Sequence, residues 1–279
     1  MKFRRTRPVV ITFILCLVSL RGVAQDIYTA LHMNEMRDYR FGKPMQITET
    51  NTFYDGNAST TEKSVKRYDR SGMLVTEERY SEDGTLKAKL SYHCDTARRL
   101  HLQRVFERWS SLGYAKETAV YTYDEKDCLV QVTDQDAEGN RTRLAKIVNN
   151  ERGDPVELRL FDHRGMAFGM ETAKYDYDKN IAVTSLFSND GNRLSGDTLI
   201  IDFGSAVKNG NHLSNDRGDP LTSSVTYASG KTYVYEHEYQ YDVLGNCTGE
   251  KVYKVTSEPG RPGKKRKIDR VYKKRFVYY

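Results

Sequence analysis

The chain has 279 residues, with 44 Lys and Arg against 38 Asp and Glu, 38% hydrophobic and 11% aromatic residues, and a mean hydropathy of −0.71. That length suffices for one large domain or two small ones with a buried core. The aromatic content is too high for a disordered chain, and the composition excludes collagen, a coiled coil and a multi-pass membrane protein.

The first residues are basic at Lys2, Arg4, Arg5 and Arg7, apolar over 9–20, and small at Gly22 and Ala24. An apolar run this short does not span a bilayer, and the small residues before Gln25 suit a signal peptidase, so residues 1–24 read as a removed secretory signal. Export follows, to periplasm, cell surface or medium, with no transmembrane span left after signal removal. Removal takes five basic residues and leaves 39 against 38. Charge is then unevenly spread: residues 251–279 hold eleven basic and two acidic side chains, and residues 25–250 hold 28 and 36. A basic tail on an acidic body attracts phosphate, an anionic lipid or polysaccharide surface, or the body itself. Nucleic acid is not an expected partner of an exported chain.

Residues 25–44 read as an N-terminal arm, either a short helix or a loose strap. From residue 45 on, the chain repeats itself. Gly72 to Gly84, Gly153 to Gly165 and Gly218 to Gly230 each span twelve residues, with a branched apolar residue three after the first glycine and an aromatic at Tyr80, Phe161 or Tyr227. Twelve less about four for a turn leaves strands of about eight residues, roughly 26 Å long. Asn150-Glu-Arg-Gly-Asp-Pro155 returns as Asn215-Asp-Arg-Gly-Asp-Pro220, 65 residues later. Arg-Gly-Asp on a loop tip can serve adhesion, but here the repeat register and the Asn, Gly and Pro make both copies turns. In 100–112, Leu102, Val105, Phe106, Trp109 and Leu112 fit a helical stripe, whereas the alternation of Leu100 and Leu102 and the flanking strands favour a strand.

A second element is an aromatic, Asp and a later glycine: Tyr68-Asp69 with Gly72, Phe161-Asp162 with Gly165, and Tyr241-Asp242 with Gly245. The aromatic ends a strand, the carboxylate accepts N–H groups within the turn, and glycine takes the positive φ. Tyr123-Asp124 lacks the glycine, and Asp136 with Gly139 lacks the aromatic. At these residues the chain resembles the YD-repeat (Rhs-type) family of exported and cell-surface β-proteins, and less closely the MORN-like repeats. The resemblance covers most of 45–250 in patches and implies a repeat scaffold; it carries over no catalytic residue, because its motif is architectural.

In 233–242, Tyr233, Tyr235, His237, Tyr239 and Tyr241 share one strand face. Tyr233, Tyr235, Tyr239 and Tyr241 are the candidate ligand-binding residues, since ring ladders stack on sugars or flat partners; the same rings can instead pack between strands. Residues 268–279 read as a closing strand and 258–267 as a hairpin loop. Cys94, Cys128 and Cys247 allow one bridge plus a free thiol or three thiols, and their spacing does not choose.

Catalytic and metal motifs fail on inspection. His237-Glu238 opens like a zinc-protease helix, but Tyr241 stands where the second His belongs. Asp134, Asp136 and Glu138 copy half a calcium loop whose twelfth position is Ala145. His93, Cys94, Asp95 and His101 have metal-binding chemistry, yet neighbours in a strand face opposite ways. No Gly-x-Ser-x-Gly, phosphate loop, dinucleotide fingerprint or Cys-x-x-Cys occurs.

The expectation is thus an all-β, antiparallel meander of on the order of ten or more strands in repeated hairpins. It forms an elongated twisted sheet or open barrel over 45–279. The expected role is a non-enzymatic binding or structural scaffold at the cell envelope, with a glycan or another envelope protein as partner and no cofactor. The alternative is an exported polysaccharide hydrolase or glycan-binding protein, with carboxylates assembled from distant strands.

Overall fold

The computed structural model describes residues 26–32, 39–56, 58–201, 214–226, 232–257 and 264–279. The signal at 1–24, the end of the third twelve-residue segment at 227–230, and 258–263 of the basic loop lie outside the described residues.

Among the described residues, helix α1 (Ile27–His32) precedes sixteen strands. They are β1 (Pro44–Asp55), β2 (Ala58–Tyr68), β3 (Leu74–Tyr80), β4 (Leu86–Asp95), β5 (Leu100–Ser110), β6 (Gly113–Tyr123), β7 (Leu129–Gln135) and β8 (Arg141–Asn149). Then come β9 (Pro155–Asp162), β10 (Ala167–Asp176), β11 (Ile181–Ser188), β12 (Arg193–Ile200), β13 (Thr222–Thr226), β14 (Thr232–Tyr241), β15 (Cys247–Ser257) and β16 (Lys264–Tyr278). All belong to one antiparallel sheet in the order β12 down to β1, then β16 down to β13. The last strand therefore pairs with the first, Ile47 opposite Phe276. Residues 100–110 are strand throughout, so the helical spacing there is two alternating faces read together.

Among the described residues, nine turns share one geometry, at 69–73, 81–85, 124–128, 136–140, 150–154, 162–166, 188–192, 215–219 and 242–246. In each, the first N–H donates to the fifth carbonyl and the fourth N–H to the first carbonyl. The fourth residue has a positive φ, from 64° to 97°. This is a three-residue hairpin loop closed by a bulge that favours glycine. Eight copies supply glycine; in the ninth Asp127 takes the position at φ 64°, which explains how the Tyr123-Asp124 copy turns without one. The aromatic that precedes most of these turns sits at the register shift, as at Tyr68, Tyr80, Tyr123 and Tyr241.

The sheet is open and curled. Edge strands β12 and β13 are consecutive in the chain, and the thirteen links from Ile201 to Ser214 reach at most about 49 Å. Laid flat, sixteen strands spaced about 4.8 Å apart would separate the edges by about 72 Å, so the edges must approach each other.

Helix α1 marks the inner face. Asp26 caps it, its Oδ1 accepting from Thr29 N–H at 2.7 Å. Six residues are too few to be helical alone; burial holds them. Ile27, fully buried, forms one cluster with Ala119, Tyr121, Val132, Ala145, Ile147, Leu158 and Ala173, drawn from β6 to β10. Its N–H donates to Glu171 Oε2 at 2.8 Å. Burial lifts the Glu171 carboxyl above its ordinary range despite that bond. Farther on, Tyr39 packs on Ile47 and Tyr68 and donates to Gly72 C=O. The N-terminal arm is thus a short helix followed by a docked strap.

Candidate functional site

Cross-strand register places Tyr233, Tyr235, His237, Tyr239 and Tyr241 of β14 on the inner face, opposite Lys254, Val252 and Glu250 of β15. The rings lie along the strand in a stack: His237 and Tyr239 are 6.1 Å apart at 6°, and Tyr239 and Tyr241 are 6.2 Å apart at 30°. Their polar ends serve the fold. Tyr239 donates to Pro220 C=O at 2.9 Å. Tyr241 donates to Asp219 Oδ2 and accepts from Asn215 Nδ2, both at 2.6 Å, with the Arg217 guanidinium 4.4 Å from its centroid. Burial and the Asp219 carboxylate push the Tyr241 hydroxyl up to about 12. Lys254 Nζ sits 3.4 Å from the Tyr233 centroid. Tyr235 is 5% exposed, so it offers a ligand no ring face.

The ladder contains an arrangement that the sequence reading missed. Ser223 Oγ lies 2.8 Å from His237 Nε2, and His237 Nδ1 lies 2.7 Å from Glu250 Oε1. A carboxylate only accepts, so Nδ1 carries a proton, and in the neutral ring Nε2 is then the acceptor facing the serine hydroxyl. The three residues stand on adjacent strands β13, β14 and β15, a nucleophile, a base and a group orienting the base. Fourteen residues separate Ser223 from His237, and only hairpin register makes them neighbours.

The Arg-Gly-Asp copies are locked turns. Arg152 stacks 4.0 Å from the Tyr177 centroid, while Tyr177 donates to Asp154 at 2.7 Å; Arg217, Tyr241 and Asp219 repeat the pattern. Among the calcium-like residues, Asp134 is paired with Arg143 at 2.6 Å and Asp136 Oδ1 accepts turn N–H groups of Glu138 and Asn140. Asp95 likewise accepts from Ala97 and Arg98. Among the described residues no three His, Cys, Asp or Glu side chains converge as a metal site. The described cysteines are free thiols; burial, then Asp69, raises Cys94 to about 11.

Charged side chains occupy the middle of strands on both faces. Glu77, Arg104 and Asp134 point inward, and exposed Lys146, Arg159 and Lys251 point outward. A lipid-facing sheet carries an apolar outer band instead. Among the described residues no helix is long and apolar enough to cross a membrane.

No family model matches the chain, and no curated protein matches it. Among solved structures, a porin-like protein from Bacteroides uniformis is 13% identical over 84% of this chain and 96% of its own, with a TM-score of 0.47. TcdB2-TccC3 is 12% identical over 76% of this chain and 15% of its own, with a TM-score of 0.27. The architecture accordingly rests on this chain's own strand pairing: an open antiparallel hairpin sheet, a form suited to a structural or binding role.

Proposed function

We propose that the protein is an exported, non-enzymatic hairpin-repeat scaffold of the YD-repeat kind, which binds a partner at the cell envelope. One observation carries this reading. The side chains first marked out by the sequence, Tyr239 and Tyr241 of the ring ladder and the turn carboxylates, are bound to one another and to backbone, so they build the sheet. The recurring aromatic-Asp-x-x-Gly turn supports the family likeness, and the basic, apolar, small-residue order of 1–24 supports export. The test is fractionation of a tagged full chain, followed by a glycan and envelope-protein binding screen of the purified chain. Signal cleavage with binding and no turnover supports the proposal; a cytoplasmic, uncleaved chain would overturn it.

A second reading has a specific observation behind it. The Ser223–His237–Glu250 chain has the geometry of acyl-transfer sites, so hydrolysis of esters on an envelope polysaccharide competes with the scaffold. Ser223 sits within a strand instead of on an exposed turn, which favours the scaffold. Labelling by a fluorophosphonate, or p-nitrophenyl acetate hydrolysis lost in Ser223→Ala, would reverse that preference.

A further inference from the structure

We propose that Arg104, Tyr92 and Tyr121 form an oxyanion-binding site on the inner face of the sheet, taking a monoanionic carboxylate or sulfate ester.

Four residues with formal charge are buried among the described ones: Glu77, Arg104, Asp134 and Asp219. Three of them hold ion pairs, Glu77 with Arg79 at 2.6 Å, Asp134 with Arg143 at 2.6 Å, and Asp219 with Arg40 at 2.5 Å. Arg104 is 6% exposed, its Nε is sealed from solvent without a hydrogen-bond partner, and no described carboxylate pairs with it. A buried guanidinium left unpaired is costly, since desolvation is not repaid by a counter-charge. Among the described residues the other buried charges are paired and this one is not, so its counter-charge is left for a ligand to supply.

The surroundings fit. Tyr92 lies directly across from Arg104 on β4 and Ala119 directly across on β6, with Tyr121 two residues along on the same face. Neither the Tyr92 nor the Tyr121 hydroxyl has a hydrogen-bond partner among the described residues, and both interact electrostatically with Arg104. Ala119 is buried in the core cluster beside Tyr121 and offers Arg104 no polar partner. A guanidinium fork supplies two parallel donors to a planar oxyanion, and two phenols supply further donors. Charge decides the ligand class. Glu77–Arg79 and Asp134–Arg143 are closed ion pairs, so the charge left to compensate is that of Arg104 itself; a monoanion neutralises it and a dianionic phosphate overshoots. This names a ligand chemistry for the binding role proposed above, but it rests on that role only in requiring that a ligand reach the inner face.

The test is calorimetric titration and thermal unfolding of the purified full chain with glucuronate, methyl sulfate, inorganic phosphate and neutral glucose. Saturable binding of glucuronate or methyl sulfate, with phosphate weaker at pH 8 than at pH 6 and glucose inert, is expected, and whichever monoanion binds identifies the source. Arg104→Met should abolish the ligand-induced rise in Tm while leaving the ligand-free Tm unchanged or higher, whereas an arginine kept for structure would lower it. Tyr92→Phe and Tyr121→Phe keep the rings and should each weaken binding by about tenfold. No saturable oxyanion binding, or binding unchanged in both phenylalanine variants, overturns the site. Binding by a chain that proves to be cytoplasmic would retain the site and discard only the envelope role.

Discussion

The two Asn-x-Arg-Gly-Asp-Pro copies fold alike and are used differently. In the first, Asn150 donates to Tyr177 at 2.8 Å and Tyr175 donates to Pro155 C=O at 2.8 Å; in the second, Asn215 donates to Tyr241 at 2.6 Å and Tyr239 to Pro220 C=O at 2.9 Å. Each places its arginine over a tyrosine two strands away. The second, however, receives the N-terminal strap: Arg40 pairs with Asp219, and the backbone N–H groups of Arg40 and Phe41 donate to Asn246 Oδ1 at 2.8 and 2.9 Å in the turn beside it. Asp219 is buried at 9% exposure, whereas Asp154 is only half-buried. Local sequence sets the turn; position in the sheet sets what seals it.

Breaking the seal should have the largest effect. Asn246 is 1% exposed and binds the strap three times, the third through Nδ2 to Phe41 C=O at 2.9 Å. Asn246→Ala should cost about 3 kcal/mol, because it orphans several buried groups, against about 1 kcal/mol for Asn150→Ala in the unstrapped copy. Urea midpoints compare them, and equal losses would refute the seal.

Glycine substitution sharpens the same contrast. Gly245 and Gly139 have φ of 97° and 87°, so alanine is strained at either, by about 1 kcal/mol. A Cβ at Gly245 also meets Arg217 Nη1 at 2.5 Å and Phe41 Cε2 at 3.2 Å, while at Gly139 it meets nothing within 4 Å. Gly245→Ala should therefore lose about 2 kcal/mol in total, and thermal unfolding of the two variants measures the difference.

Tyr241→Phe should cost about 1.5 kcal/mol and Tyr177→Phe about 0.5 kcal/mol, because only the first leaves a carboxylate buried beside a missing donor. Chemical denaturation at neutral pH reads both values, and the reverse order would break the comparison.

The smallest effect concerns pH. Burial opposes ionisation of Asp242, but the Tyr278 hydroxyl at 2.6 Å and the turn N–H groups outweigh it, so its pKa falls below 3.8. A depressed carboxylate stabilises the fold above its unfolded value and loses that contribution as pH drops through the folded value. Asp242→Asn should flatten the acid limb of the stability curve below pH 3.8. An unchanged limb would assign acid sensitivity to other carboxylates.

Glycine spacing and alternation make the strands, the turns and the antiparallel class legible in the residues alone, since both are properties of a few neighbouring positions. The glycine-free turn at Asp127 was less legible, because a positive φ at aspartate leaves no compositional mark. The relay of Ser223, His237 and Glu250 was not legible at all, nor was the burial of Arg104 with no partner among the described residues. Both depend on which strands lie side by side.

Taken by itself, the order of residues determined that this chain makes hairpins, because a turn costs least where Asp, Asn and Gly satisfy its backbone locally. Tertiary structure alone decided that β16 closes on β1, that the arm straps the second turn module, and that one arginine is buried with no partner among the described residues. Those outcomes follow from which distant surfaces meet, and a charge acquires its partner, or fails to, only when the sheet has curled.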